Sequence, residues 1–161
     1  KMAVIAAEDQ KFASHWGFDV EAIEDAVEDR LEGKSSRGAS TLTQQVAKNL
    51  FLWPGRSFVR KGIEAWLTIL IEAIWPKRRI LEVHLNLAEF GNGIYGVEAA
   101  SRAFFQVPAL RIDLPMAAQM AAVLPNPRVR RVTSLSPQVQ DRADWIVDQV
   151  PRLGINYLSK L

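Results

Sequence analysis

Val59-Arg60-Lys61-Gly62-Ile63-Glu64-Ala65-Trp66-Leu67-Thr68-Ile69-Leu70-Ile71-Glu72-Ala73-Ile74-Trp75 decides the fold class. Glu64, Thr68 and Glu72 recur every four residues through otherwise apolar sequence, the period of a helix and not of a strand. Trp66, Leu67, Ile69, Leu70, Ile71 and Ile74 cover most of the remaining circumference. The spacing therefore predicts a central helix whose polar stripe faces a cleft or partners. The apolar run from Ile63 to Trp75 is broken three times and is too short to span a bilayer.

Helical signals continue on both sides. Upstream, Asp19 is placed to cap a helix carrying Ala22, Ile23, Ala26, Val27 and Leu31, with Gly33 as its stop. Thr41-Leu42-Thr43-Gln44 has the capping-box form and opens a helix to about Leu50. Pro54-Gly55 marks a turn before the long helix. Downstream, Pro76 begins a helix with Ile80, Leu81, Val83 and Leu85, and Gly91, Gly93 and Gly96 form a tight loop. Later helices are expected near Gly96, near Pro115 after Asp113, and from Pro137 after Ser136 to about Gly154. Only Val107 to Leu114 admits a short strand, so the fold class is mainly α.

Composition bounds the function. The chain has 161 residues, 48% of them hydrophobic, which predicts one globular domain and excludes a disordered tail. With no cysteine, neither a disulfide scaffold nor a cysteine-ligated zinc site can form. A net charge of +2 hides a separation: Asp19 to Glu32 holds seven acids and one base, whereas Ser40 to Ile80 holds seven bases and two acids. A basic field of that kind suits phosphate, anionic lipid or nucleic acid, and is equally the solvated face of a helix. Lys1-Met2-Ala3-Val4-Ile5 opens in a helical pattern without a cap, so an upstream segment is expected beyond this soluble domain.

Three stretches carry groups suited to chemistry. Glu8-Asp9-Gln10-Lys11-Phe12-Ala13-Ser14-His15-Trp16-Gly17 gathers two carboxylates, an imidazole and two aromatics at a helix end. A carboxylate desolvated by such neighbours becomes a general base near neutral pH, although an exposed acidic pair explains the pattern too. Gly38-Ala39-Ser40-Thr41-Leu42-Thr43-Gln44-Gln45-Val46-Ala47-Lys48-Asn49 leads from small residues into a helix start rich in donors. Capping accounts for Thr41 and Gln44 but not for Gln45 or Lys48, and helix-start donors backed by a lysine suit an anion such as phosphate. In Arg60-Lys61-Gly62-Ile63-Glu64, an i, i+4 ion pair explains Arg60 and Glu64. His15 and His84 are isolated and read as hydrogen-bonding groups more readily than as metal ligands.

In this order the stretches resemble the peptidoglycan glycosyltransferases of family 51, the polymerase domain of class A penicillin-binding proteins and of their monofunctional relatives. The Glu8 to Gly17, Gly38 to Asn49 and Arg60 to Glu64 stretches are similar to the first three family motifs. Ile80-Leu81-Glu82-Val83-His84-Leu85-Asn86 with Phe90-Gly91-Asn92-Gly93-Ile94-Tyr95-Gly96-Val97-Glu98-Ala99-Ala100 is similar to the fourth, and Ala117-Ala118-Gln119-Met120-Ala121-Ala122-Val123-Leu124-Pro125-Asn126-Pro127 to the fifth. Ala39 stands where a second glycine is common, and His84 where an aromatic, usually tyrosine, is common.

The resemblance implies a single glycosyltransferase domain over 1–161, of lysozyme-like fold, with a substrate cleft between a larger lobe and a smaller, mobile lobe near the membrane. It implies inverting transfer of a growing glycan from undecaprenyl diphosphate to the 4-hydroxyl of lipid II, forming β-1,4 linkages. On that basis Glu8 is the general base, and Glu64 lies near the donor diphosphate or its divalent ion, Mg²⁺ or Mn²⁺. Lys48, Arg56, Arg60 and Lys61 match cations that neutralise the leaving diphosphate. Ser40, Thr41, Gln44, Gln45 and Asn49 match positions lining the donor site, while Asp9, Phe12 and His15 shape the region around the base. The partners implied are lipid II, the lipid-linked glycan, the membrane surface and cell-wall synthesis proteins, with no nucleic acid. The implied location is the outer, periplasmic face of the bacterial cytoplasmic membrane, behind a single N-terminal anchor. Lys34 to Ala39, rich in Ser, Gly and Lys, is expected to be mobile without substrate. The competing readings are a lysozyme-type or lytic enzyme and an inert module that binds anionic membrane.

Overall fold

The computed structural model describes residues 1–33, 38–55 and 57–161, and these are mainly helical. The helices are α1 (Met2–Glu8), α2 (Val20–Leu31), α3 (Leu42–Phe51), α4 (Phe58–Ile74), α5 (Lys77–Leu87), α6 (Val97–Phe105), α7 (Leu114–Val123) and α8 (Pro137–Leu153). A two-stranded antiparallel hairpin, β1 (Glu89–Gly91) and β2 (Ile94–Tyr95), joins α5 to α6. The expected loop of 34–39 falls mostly outside the described residues, at 34–37, and so does Arg56.

Local chemistry sets the helix starts. Asp19 accepts from the Ala22 amide at 3.1 Å, Ser57 from the Arg60 amide at 3.1 Å, and Asp113 from the Met116 amide at 2.9 Å. Thr41 and Gln44 form the full capping box, with the Gln44 amide donating to Thr41 Oγ1 and Gln44 Oε1 accepting from the Thr41 amide. Ser136 precedes α8 but makes no side-chain cap; Pro137, at the first helical position, presets the backbone there instead.

Two groups of helices share the main core. α7 packs on α1 and α8, while α3 packs on α4 and α5, and α5 leads on to α6. Fully buried Ile5, Phe12, Leu42, Ile80 and Ile146 tie the groups together, each side chain contributing roughly 1.5–3 kcal/mol by leaving water.

The central helix is α7, not α4. Ala118, Met120, Ala121, Ala122 and Val123 are all buried, and the three alanines allow close approach by α1 and α8. α4 is turned the other way: Glu64 and Thr68 face inward, whereas Trp66, Ile69, Leu70 and Ile74 are exposed, as are Phe58 and Val59. The inward polar groups are tolerated because each is paired, as described below. α2 likewise buries none of its residues. No helix among the described residues is long and apolar enough to cross a membrane.

Val107 to Leu114 is not a strand. Pro108 starts a 3-10 turn over Ala109–Arg111, and the Ala109 amide donates to Glu98 Oε2 at 2.8 Å. The strands lie instead in the glycine-rich stretch, where Asn92-Gly93 makes the reversal and Gly93 takes a positive φ of 76°.

Candidate active site

Glu8 ends α1, which is held between α7 and α8, and the packing fixes where its carboxylate sits. Gln45 Nε2 of α3 donates to Oε2 at 3.0 Å, and Arg142 Nη2 of α8 donates to Oε1 at 3.2 Å. Burial pushes the Glu8 pKa above the ordinary glutamate value. The Gln45 hydrogen bond and the charges of Arg142 and Lys48 oppose that rise. Burial thus makes Glu8 a better proton acceptor than an exposed glutamate, while its donors favour the ionised form.

The neighbours of Glu8 do structural work. Buried Asp9 accepts from the Leu42 amide at 3.0 Å through Oδ2, satisfying an orphan donor at the start of α3, and lies 2.8 Å from His15 Nε2 through Oδ1. Phe12 is fully buried, with the His15 ring edge-on to it and Lys77 Nζ 4.6 Å above its centre. Thr41 Oγ1 donates to the Gly17 carbonyl at 2.7 Å. Gly17 has a φ of 83°, and a Cβ there would lie 2.7 Å from Thr68 Cγ2 of α4. From the far end of the chain, Tyr157 Oη donates to the Gln10 carbonyl and accepts from the Ala13 amide, each at 3.0 Å. The segment after Glu8 is thus fastened to α3, α4 and the C-terminal turn at once.

Beside this frame opens a polar cavity of about 310 Å³, lined by Ser40, Gln44, Gln45, Lys48, Arg60, Lys61 and Glu64. Gln45 is the link, since it lines the cavity and also holds Glu8. Glu64 is buried with both oxygens occupied, Oε1 by Lys61 Nζ at 2.5 Å and Oε2 by Arg60 Nη1 at 3.4 Å. One turn on, Thr68 donates to the Glu64 carbonyl at 2.8 Å. Glu72 accepts from Thr43 Oγ1 at 2.5 Å and Lys77 Nζ at 2.8 Å. The inward stripe of α4 is therefore fully paired, and its upper end delivers charge to the cavity. Lys48, Arg60 and Lys61 against Glu64 leave the lining net positive, suited to an anion of higher charge than a carboxylate.

The same residues do not fit a resident metal ion. Glu64 is the cavity's only carboxylate and is already engaged by two cations, and no group of three His, Asp or Glu suited to a metal occurs among the described residues.

Of the residues singled out by sequence, Ser40, Gln44, Gln45, Lys48, Arg60, Lys61 and Glu64 meet at the cavity. Asp9, Phe12, His15 and Thr41 stand behind it as described, and exposed Asn49 is outside its lining. Arg142 escaped the sequence reading, and His84 was read as a hydrogen-bonding group without its partner. Arg142 shares a helix face with buried Val139, Ala143 and Ile146, and a lone cation on a core-facing stripe was its signal. His84 is buried against Gln45, Nε2 to Oε1 at 3.0 Å, and nothing in its spacing pointed there.

A family profile described as Transglycosylase matches residues 1–151. The whole chain is 55% identical to a biosynthetic peptidoglycan transglycosylase of Pseudomonas fluorescens, spanning 68% of that protein. It is 58% identical to the one of Ectopseudomonas mendocina, spanning 67% of it, and 55% identical to the one of Shewanella oneidensis, spanning 69%. With a match over nearly its full length and relatives this similar, the chain belongs to the transglycosylase family.

Proposed function

We propose that the chain is a peptidoglycan glycan polymerase that transfers a lipid-linked glycan from its diphosphate to a sugar hydroxyl of lipid II, with inversion. The observation that carries this is the adjoining of Glu8 to a cavity lined by Lys48, Arg60 and Lys61. Glu8 takes the proton from the attacking 4-hydroxyl as the oxygen bonds to the anomeric carbon. The anomeric bond to the diphosphate breaks, and the departing oxygen gains negative charge. Cations already in place lower the barrier to that departure without reorganising. Glu64 keeps Arg60 and Lys61 turned to the cavity. A glycan-cleaving enzyme requires a protonated acid at a sugar oxygen and has no use for three cations there.

The exposed stripe of α4 supports a lipid surface as the neighbour. Phe58, Trp66, Ile69, Leu70 and Ile74 lie on the face opposite Glu64 and Thr68, and Trp and Phe suit an interfacial setting. The lipid-linked substrate would then reach the cavity from the membrane on the outer side of the cytoplasmic membrane.

The test is to incubate the protein with lipid II, and separately with finished glycan. Polymer from lipid II that disappears in Glu8→Gln, with the circular dichroism unchanged, is the expected result. Cleavage of finished glycan, or full polymerisation by Glu8→Gln, overturns the proposal.

A further inference from the structure

Three groups run in line behind the cavity: Glu8 on α1, Gln45 on α3 and His84 on α5. Their hydrogen bonds have a forced direction. An ionised carboxylate only accepts, so Gln45 must turn its Nε2 to Glu8, which leaves its Oε1 facing His84. The Oε1 also only accepts, so His84 Nε2 must carry the proton. We propose that His84 is a positioning residue for Glu8: by donating its Nε2–H to Gln45 Oε1 it locks the amide with Nε2 turned to the carboxylate. The inference rests on the reading of Glu8 as the base.

Without that lock only the carboxylate itself orients the amide, which can rotate by half a turn whenever Glu8 takes up a proton. Its oxygen would then face the Glu8 oxygens, and the carboxylate would lose one of its two side-chain donors, leaving Arg142. His84 suits the task because it stays neutral. Burial and the charge of Lys48 lower its pKa to about 4, so the ring does not gain a second proton at neutral pH. The second ring nitrogen, Nδ1, is buried with no hydrogen-bond partner among the described residues, so nothing there competes for the tautomer. The charged groups facing this line are Arg142 from α8 and Lys48 from α3; Glu98 and Arg102 of the neighbouring α6 are exposed and paired with each other. The line also has a limit. Gln45 presents hydrogens to Glu8, so a proton captured by Glu8 cannot pass inward to His84 and must leave on the cavity side.

The experiment is nuclear magnetic resonance on the full chain, with ¹⁵N-labelled histidine and ¹³C-labelled glutamate, beside the pH–rate profile. In the wild-type protein His84 is expected to carry its proton on Nε2, with Nδ1 bare, from pH 8 down to about 5. His84→Phe keeps the bulk and removes the donor. It is expected to raise the Glu8 pKa by about half to one unit and move the acid limb of polymerisation equally, slowing it up to about tenfold below both pKa values. His84→Gln, which returns a donor at the Nε2 position, is expected to restore both. His84→Phe should add nothing further in a Gln45→Ala background.

An Nδ1–H tautomer or an imidazolium at pH 7 overturns the proposal. So does an unmoved Glu8 titration in His84→Phe, or a His84→Gln variant no better than His84→Phe. If His84→Phe fails to fold, the wild-type tautomer decides alone. Because the tautomer and the Glu8 titration are read without turnover, they test the line of bonds even if activity in Glu8→Gln removes Glu8 as the base.

Discussion

Arg142 Nη2 lies 3.2 Å from Glu8 Oε1 and 3.0 Å from the Ala7 carbonyl, so one guanidinium nitrogen joins α8 to the end of α1 at the reacting group. Removing it takes away a hydrogen bond and a positive charge that both hold the Glu8 pKa down. Arg142→Gln is therefore expected to raise that pKa by about one unit or more. On the proposed reading, in which Glu8 acts ionised, the acid limb of the pH–rate profile should move to higher pH by the same amount. A profile measured from pH 5 to 9 checks this, with an unmoved limb as the contrary result.

Lys48 is exposed, lines the cavity and has no ion pair with a carboxylate among the described residues, which leaves its charge available to a ligand. Lys48→Ala should lower kcat/KM for lipid II by about ten- to a hundredfold, the range of about 1.5–3 kcal/mol for a charged hydrogen bond. Its fold should be unaffected by circular dichroism. A wild-type rate would remove Lys48 from the diphosphate site.

At Gly17 the backbone φ is 83°, and a Cβ would press on Thr68 and Glu72 of α4. Gly17→Ala is expected to cost about 1–3 kcal/mol, since α4 must shift to admit even a methyl group. Thermal unfolding should show a lower Tm by several degrees. Gly93→Ala is also strained by its φ of 76° but meets nothing within 4 Å, so it should cost less.

Buried His84 links stability to pH. Its folded pKa of about 4 lies below the ordinary histidine value, so the unfolded chain binds a proton first as pH falls. Stability from this group is complete above about pH 6.5 and is lost progressively down to pH 4, by about 3 kcal/mol in all. His84→Gln should flatten that part of the urea-unfolding profile, whatever its absolute stability.

Tyr157→Phe removes both hydrogen bonds that hold the Gln10 and Ala13 backbone from the C-terminal turn. Losing two part-buried hydrogen bonds should cost about 1–3 kcal/mol in all. Hydrogen exchange of the Ala13 amide should rise well before that of the α7 core.

The helix plan was legible because caps and stops are local: Asp19, Thr41 with Gln44, Asp113 and Gly154 mark the ends they were read to mark. What faces what was less legible. The period of α4 was read correctly, but period alone does not say which stripe turns inward, and the ion pairs of Glu64 and Glu72 reverse the usual answer. The hairpin was missed because its strands are three and two residues long, too short for alternation, although Asn92-Gly93 is itself a hairpin signal. At the site, residues near each other in sequence were found, and those contributed from afar, Arg142 and Tyr157, were not. Their partners lie 134 and 147 residues away.

The pairing of Glu64 with Arg60 and Lys61 has one more consequence. On the proposed reading, an entering diphosphate does not meet bare cations; it competes with a carboxylate that already pairs with two of them. Recognition is then an exchange of ion pairs, and its free energy is the difference between the incoming and the surrendered contacts. Glu64 would then act as an internal rival of such a ligand, setting a ceiling on affinity that favours its release over its retention.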